Sequence, residues 1–440
     1  MGNRGSARAL ANGNVTQLTD HLFREEAGKL VSILTRIFGI ERLQLAEDVV
    51  QEALMRALKF WPYYGVPDNP SAWITRTAKN LAIDVIRREA LFRDKQDQMT
   101  ITLQEWRQPE SPDDAARFET EIQDARLRLM FACCHPDVPM DSQIALVLKT
   151  VCGFGVTEIA RSFLVSEAAI AKRLTRARNT IREHHIPFEI PAGAVLEERL
   201  EAVLQSIYLL FNEGYKSSTG DALIRSDLCL EAIRLGLQLT DHPSGNHPRS
   251  HALLALMLFN AARFPGRLDA TGNILQLEAQ DRSRWDQSML FRALHHLSLS
   301  AAGDEVTSFH LQAGIAACHC TAQDFASTDW SRILMLYNHL ELLAPSPIVS
   351  LNRAIALAKV EGPQAGLAVI GTLTDSRLLE SYPLSFVVRA ELEAEMGDFH
   401  LAAKHLRRAL ELTENASERR LLTQRLERAE KQAICGVSAG

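Results

Sequence analysis

Apolar residues recur every three to four positions along almost the whole chain. In Leu43 to Phe60, Ala46, Val49, Val50, Ala53, Ala57 and Leu58 make one stripe. Asp48, Gln51, Glu52 and Lys59 lie on the opposite face. Side chains three and four residues apart share a helix face, so this spacing predicts an amphipathic helix. Trp61-Pro62 is expected to end it, because proline cannot continue a helix. Gly65 to Pro70 reads as a loop. Asn69-Pro70-Ser71 then starts a helix running to about Arg93, with Pro70 in its first turn. Alternating β-branched runs are nearly absent, and aromatics are only 6% of the chain, so strands have little to build on. The expected fold class is all-α.

The pattern also divides the chain. Residues 18–93 form a first helical block. Residues 94–125 hold nine acids against three bases, with Pro109 and Pro112 among them, and read as an acidic linker. Residues 126–187 form a second helical block. Residues 195–435 are helix after helix, punctuated by Gly, Pro and Asp. Within that last part, Ala354 and Ala390 lie 36 residues apart and Gly362 and Gly397 lie 35 apart. That spacing is close to the ~34-residue tetratricopeptide period and points to stacked helical hairpins.

Length and charge refine this picture. A chain of 440 residues suggests two to four domains. Its 46% hydrophobic and 23% charged residues exclude collagen-like, disordered and membrane classes. Apolar stretches such as Ala252 to Phe259 fall far short of the ~20 residues of a membrane span. No apolar run marks residues 1–20, and the seven cysteines are odd in number and irregularly spaced, so a reduced, cytoplasmic setting is expected. The net charge of -6 argues, as an average, against nucleic acid. The average conceals a division. Residues 1–190 hold 25 bases and 25 acids, so the excess acid belongs to the remainder. Two stretches of the first half are basic: Trp73 to Arg93 at +3 and Arg161 to Arg182 at +5. Either can form a phosphate-contacting strip; a solvated helix face is the plainer alternative.

The second basic stretch sits in a telling pattern. Thr157 to Phe163 reads as a short helix with Thr157 or Val156 near its cap. Leu164-Val165-Ser166 is a tight turn, and Glu167 to Arg182 is a longer helix capped by Ser166. Small Ala160 permits close helix crossing, while Ile159, Leu164, Ile170 and Leu174 supply a shared core. This is the helix-turn-helix plan, whose second helix enters the major groove. Ser166, Glu167, Ala169, Lys172 and Arg173 would then face base edges and nearby phosphates, with Arg176 and Arg178 further along the backbone.

On these residues the chain resembles a known family. AEDVVQEALMRALKFWP and NPSAWITRTAKNLAIDVIRRE are similar to region 2 of a bacterial sigma factor, and the helix-turn-helix is similar to region 4. With no region 3 between them, the arrangement resembles an extracytoplasmic function (ECF) sigma factor. YLLFNEGY, ALLALMLFNAAR, QDRSRWD, TDW and PSPIVSLNRAIA resemble the subgroup with a large C-terminal tetratricopeptide-like extension. The resemblance implies a non-enzymatic transcription initiation factor, needing no cofactor, that directs core RNA polymerase to promoters and helps melt −10 DNA. Asp48, Gln51 and Glu52 would meet the clamp helices of the polymerase's largest subunit, and region 4 its flap region. Arg76, Lys79, Asn80, Asp84, Arg87 and Arg88 would meet the −10 element, with Trp73 and Ile74 mainly packing. The loop Tyr63 to Asn69 would shape a pocket for a flipped base, with Tyr63 and Tyr64 as stacking candidates. Residues 166–178 would read the −35 element. The extension would modulate activity, and a small regulatory protein is an associated partner.

Other residues look chemical. Phe131-Ala132-Cys133-Cys134-His135-Pro136 and Cys318-His319-Cys320 carry soft ligands, but a closed zinc site needs about four at suitable spacing. A structural helix end and plain packing, respectively, are expected instead. Walker, GxGxxG and HExxH motifs do not occur. Tyr208, Asn212, Glu213 and Tyr215, with Gln280, Asp281, Arg282, Arg284, Trp285 and Asp286, read as a buried network ordering the C-terminal half, or as a ligand groove. A helix-turn-helix regulator acting without polymerase, and an enzyme built on that cluster, are the competing function classes.

Overall fold

The computed structural model describes residues 23–88, 125–215, 225–269, 275–373, 377–413 and 416–437, apart from 25, 164 and 192, together with positions 99 and 102. The acidic linker expected at 94–125 lies almost wholly outside them, as does Leu164. Among the described residues no strand occurs; the protein is all-α, with a large helical C-terminal part. It divides into two compact units, Met1–Leu210 and Phe211–Gly440.

In the first unit, α1 (residues 23–38) buries Leu30, Leu34 and Phe38. Gly39, with φ of 91°, turns the chain into α2, Leu43–Tyr64. Ala46, Val49, Val50, Ala53 and Ala57 are buried as the stripe predicts. Leu58 is not; it is 54% exposed, because the buried row continues through Ala57 to Trp61. Nor does the helix stop at Trp61-Pro62. It runs to Tyr64, with Gly65 N–H bonded to the Trp61 carbonyl at 2.9 Å. Pro62 removes a single hydrogen bond in the last turn. Trp61 is held edge-on to Trp73 at 5.7 Å and also touches Phe23, which keeps that turn in place.

The second helix is α3, Pro70–Arg88, and the Asn69 carboxamide accepts from Ala72 N–H at 2.9 Å. After it come α4 (residues 125–133), α5 (Met140–Thr150), α6 (Val156–Ser162) and α7 (Glu167–Glu183). Ser166 caps α7 by accepting from Ala169 N–H. Val156 and Thr157 are the first two residues of α6, beside its cap as expected. The Glu158 carboxylate reaches back and accepts from Gly155 N–H at 2.8 Å, one half of a capping box. Ile159, Ala160, Ile170 and Leu174 are all buried.

Helix α8 spans Ala194–Tyr215. The second unit continues with α9 (Ser226–Asp241) and α10 (Pro248–Ala262). The apolar run Ala252 to Phe259 lies wholly in α10 and is buried throughout. Each buried Leu or Phe of that run contributes roughly 1.5–3 kcal/mol. No helix among the described residues is long and apolar enough to cross a membrane.

Then follow α11 (Gln287–Ser300), α12 (Ser308–Thr321), α13 (Trp330–Leu343), α14 (Pro347–Glu361), α15 (Pro363–Thr372), α16 (Arg377–Glu380), α17 (Pro383–Glu395), α18 (Phe399–Leu412) and α19 (Ala416–Val437). Successive helices pack on one another as hairpins. Gly362 and Gly397 have φ of 99° and 85°, conformations that glycine adopts without strain, at the turns after α14 and α17. Ala354 and Ala390 are buried in the same helices.

Candidate nucleic-acid interface

Three helix faces of the first unit carry the residues singled out by sequence. On α2, Asp48, Gln51 and Glu52 are exposed. Asp48 accepts from the Gln44 amide at 2.9 Å, and Glu52 pairs with Arg56 at 2.9 Å one turn on. Gln51 also borders a cavity of about 200 Å³ with Arg24, Val50, Leu54, Lys149 and Thr150. One residue before Asp48, Glu47 is buried and pairs with Arg178 at 2.8 Å. Burial raises the Glu47 carboxyl above its usual range, against the opposing pull of Arg178 and Lys149.

On α3 the apolar residues Ile74, Ala78, Leu81, Ala82 and Ile86 face inward. Arg76, Asn80, Asp84, Arg87 and Arg88 are exposed, and Lys79 is half-buried. The four cations and two amide or acid groups therefore occupy the side away from the core. They can meet phosphates and exposed base edges together. Trp73 packs as expected. Tyr63 and Tyr64 are 85% and 82% exposed, and Tyr64 stacks on Phe60 at 5.9 Å. Met55, Leu58 and Phe60, also in the last turns of α2, are each about half-exposed.

On α7 the structure separates the predicted residues into two groups. Ser166, Glu167, Lys172 and Arg176 are exposed, and Ala169 is partly so. Arg173 instead lies over the Phe163 ring at 5.7 Å and 3.6 Å from Asp141. Arg178 turns away from solvent onto Glu47. The exposed cations of α7 are thus Lys172, Arg176 and Arg182.

The chemical-looking motifs resolve into packing. Cys133 and Cys134 are fully buried, and burial pushes the Cys133 thiol up to about 12 and the Cys134 thiol well above its usual range. They stay protonated thiols, which ligate metals poorly. Among the described residues no group of three or more His, Cys, Asp or Glu side chains converges on a possible metal position. In the second unit, Arg282 donates to the carbonyls of His319 and Ala322 at 2.7 and 2.6 Å, satisfying the C-terminal end of α12. Trp285 is buried beside the guanidinium groups of Arg263 and Arg282. Asp286 caps α11, and Arg267 lies 4.2 Å over the Tyr215 ring. Tyr215 and the Gln280–Asp286 segment thus staple helices together. A separate cavity of about 670 Å³ in that unit is bordered by Trp330, Tyr337 and the ion pairs Lys359–Glu395 and Arg425–Glu391.

Residues 22–91 match sigma-70 region 2, and residues 199–301 match a family of unknown function, DUF6596. An uncharacterized protein of Rhizobium meliloti (strain 1021), R00370, is 40% identical over 86% of this chain and 88% of its own length. The chain belongs to the family of that protein. It carries a sigma-70 region 2 domain, formed by α1, α2 and α3. A probable RNA polymerase sigma factor, RfaY, of Xanthomonas campestris pv. campestris is 30% identical over 31% of this chain and 33% of RfaY. The ECF RNA polymerase sigma factor SigE of Mycolicibacterium smegmatis is 24% identical over 38% of this chain and 60% of SigE. This chain therefore spans less than two thirds of either sigma factor. No solved structure matches it. The homology supports a sigma-factor-like role and points to a non-enzymatic transcription factor.

Proposed function

We propose that this protein is a transcription initiation factor of the ECF sigma type. It binds core RNA polymerase, brings it to specific promoters and helps open −10 DNA. One observation carries the reading. The segment that matches sigma-70 region 2 ends in a helix, α3, whose outer side displays Arg76, Lys79, Asn80, Asp84, Arg87 and Arg88 while its inner side is core. The polar face of α2, through Asp48, Gln51 and Glu52, meets the clamp helices of the largest polymerase subunit. Helix α7 reads −35 DNA through Ser166, Glu167, Ala169, Lys172 and Arg176, with Arg173 and Arg178 joining once freed from Asp141 and Glu47. The segment around α6 and α7 also contacts the flap region. The helical hairpins of the second unit form a tetratricopeptide-like regulatory domain, which takes a small regulatory protein as partner.

The polymerase contact is tested by Asp48→Ala with Glu52→Ala. Both side chains are exposed, so the double variant should fold as the parent does. Its affinity for purified core polymerase should fall by roughly tenfold or more, the scale of two charge-assisted contacts. Undiminished co-purification with core would remove this face from the interface.

A further inference from the structure

The second unit holds a cavity of about 670 Å³ that the sigma-type reading does not use. Small molecules bind in hollows of roughly 300–1,000 Å³. The space has a cause in the sequence. Helices α14, α17, α18 and α19 turn Ala356, Ala390, Ala394, Ala402 and Ala429 toward it, where longer side chains would fill it.

Two parts of the lining differ in chemistry. One is aromatic. Trp330 is held edge-on by His319 at 5.3 Å and by Phe325 at 5.5 Å, and Tyr337 lies two turns further along α13. Burial, with Arg263 and Arg282 nearby, pushes the His319 imidazole down to about 4, so this wall carries no charge at neutral pH. The other part is charged. Glu391 and Glu395 stand one turn apart on α17, and each is matched by a cation from a flanking helix. Arg425 of α19 meets Glu391 at 2.5 Å, and Lys359 of α14 meets Glu395 at 2.7 Å.

What these pairs leave over defines the ligand. Arg428, one turn beyond Arg425, is exposed and has no hydrogen bond or ion pair among the described residues. The half-buried Asn352 carboxamide of α14 has no partner among them either, and the indole N–H of Trp330 finds no acceptor. An indole N–H held in a wall of this kind ordinarily has a partner. Unmatched donors beside an aromatic wall call for a flat ligand rich in acceptor atoms, and a guanidinium holds an acid group through paired N–H donors. Glu278, on the exposed rim, is the one acid of the lining without a partner among the described residues, and it opposes a second negative group on the ligand.

We propose that this cavity is a binding site for a small aromatic organic acid, a monoanion whose ring lies against Trp330 and Tyr337 and whose acid group takes Arg428 and Asn352. The site belongs to the second unit alone, so it stands or falls independently of the sigma-type reading.

Anilinonaphthalene sulfonate, an aromatic monoanion that fluoresces in apolar surroundings, is the probe, and phenylnaphthylamine is the same skeleton without the acid group. In the full chain the sulfonate should bind saturably at one site, with a Kd on the order of 10 µM, and the amine roughly fivefold more weakly. Arg428→Gln, at an exposed position, should weaken the sulfonate roughly tenfold and leave the amine within about twofold of the parent. Ala394→Phe should fill the hollow and abolish saturable binding of both probes. Should it lose helical signal, Ala394→Leu replaces it with the same expected loss. Sulfonate binding unchanged in Arg428→Gln, or equal weakening of both probes, overturns the anion site. Saturable binding that survives in a folded Ala394 variant overturns the cavity as its location. A parent chain that does not bind the sulfonate saturably overturns the proposal outright.

Discussion

Alanine at Arg87 and Arg88 together should weaken promoter binding by the polymerase complex by roughly 10²-fold at physiological salt, about 1.5 kcal/mol for each charge-assisted hydrogen bond to phosphate. Both side chains are exposed in the last turn of α3, which is fixed from beneath by Ile86. The loss should be nearly uniform across promoter sequences, because phosphates carry no base identity. The plot of log affinity against log salt should become less steep by about 2, one unit for each phosphate released. Fold stability should move by no more than ~0.5 kcal/mol, since neither side chain packs in the core. Affinity measured across a salt series checks this. An unchanged slope would place the DNA contact elsewhere.

The other large effect concerns the second unit. Trp285→Ala should cost ~3–5 kcal/mol of that unit's stability, read as a lower urea midpoint for the full chain. The indole is 3% exposed and fills the space over Gly266, where an added Cβ would stand 2.8 Å from its nitrogen. Its removal leaves a cavity beneath Arg263 and Arg282 and strips both of an aromatic partner. Burial already pushes the neighbouring His319 imidazole down to about 4, so the site holds two guanidinium groups beside a neutral ring. A loss below ~1 kcal/mol would show that the Gln280–Asp286 segment does not order the helices, and would revive the groove reading of that cluster.

What was legible in the sequence was what is local. Ser166 announces the start of α7, and Asn69 that of α3, because a cap is made within three residues. Gly362 and Gly397 mark turns because glycine adopts positive φ without strain. The exposed side of α3 was readable except at Lys79, which is half-buried, since one helix period decides which residues escape the core. Boundaries decided by neighbours were not. Pro62 stays inside α2 because Trp61 is gripped by Trp73 and Phe23, and neither grip shows in the pattern of that helix. Leu58 falls just off the buried row by the same helix geometry. The face of α7 was half legible. Lys172 and Arg176 are exposed, as the helix period predicts, whereas Arg173 and Arg178 have partners, Asp141 and Glu47, drawn from distant positions. Nothing in the spacing of one helix reports a carboxylate that the fold brings in from another. The charge average is equally blind to arrangement, because the net charge of -6 hides basic faces on α3 and α7.

Run-off transcription with purified core polymerase on promoter templates tests the central claim most directly. Initiation from defined positions only when this protein is added is the predicted result. No initiation on any genomic template, while the protein alone shifts duplex DNA, would contradict it and make the chain a helix-turn-helix regulator that works without polymerase.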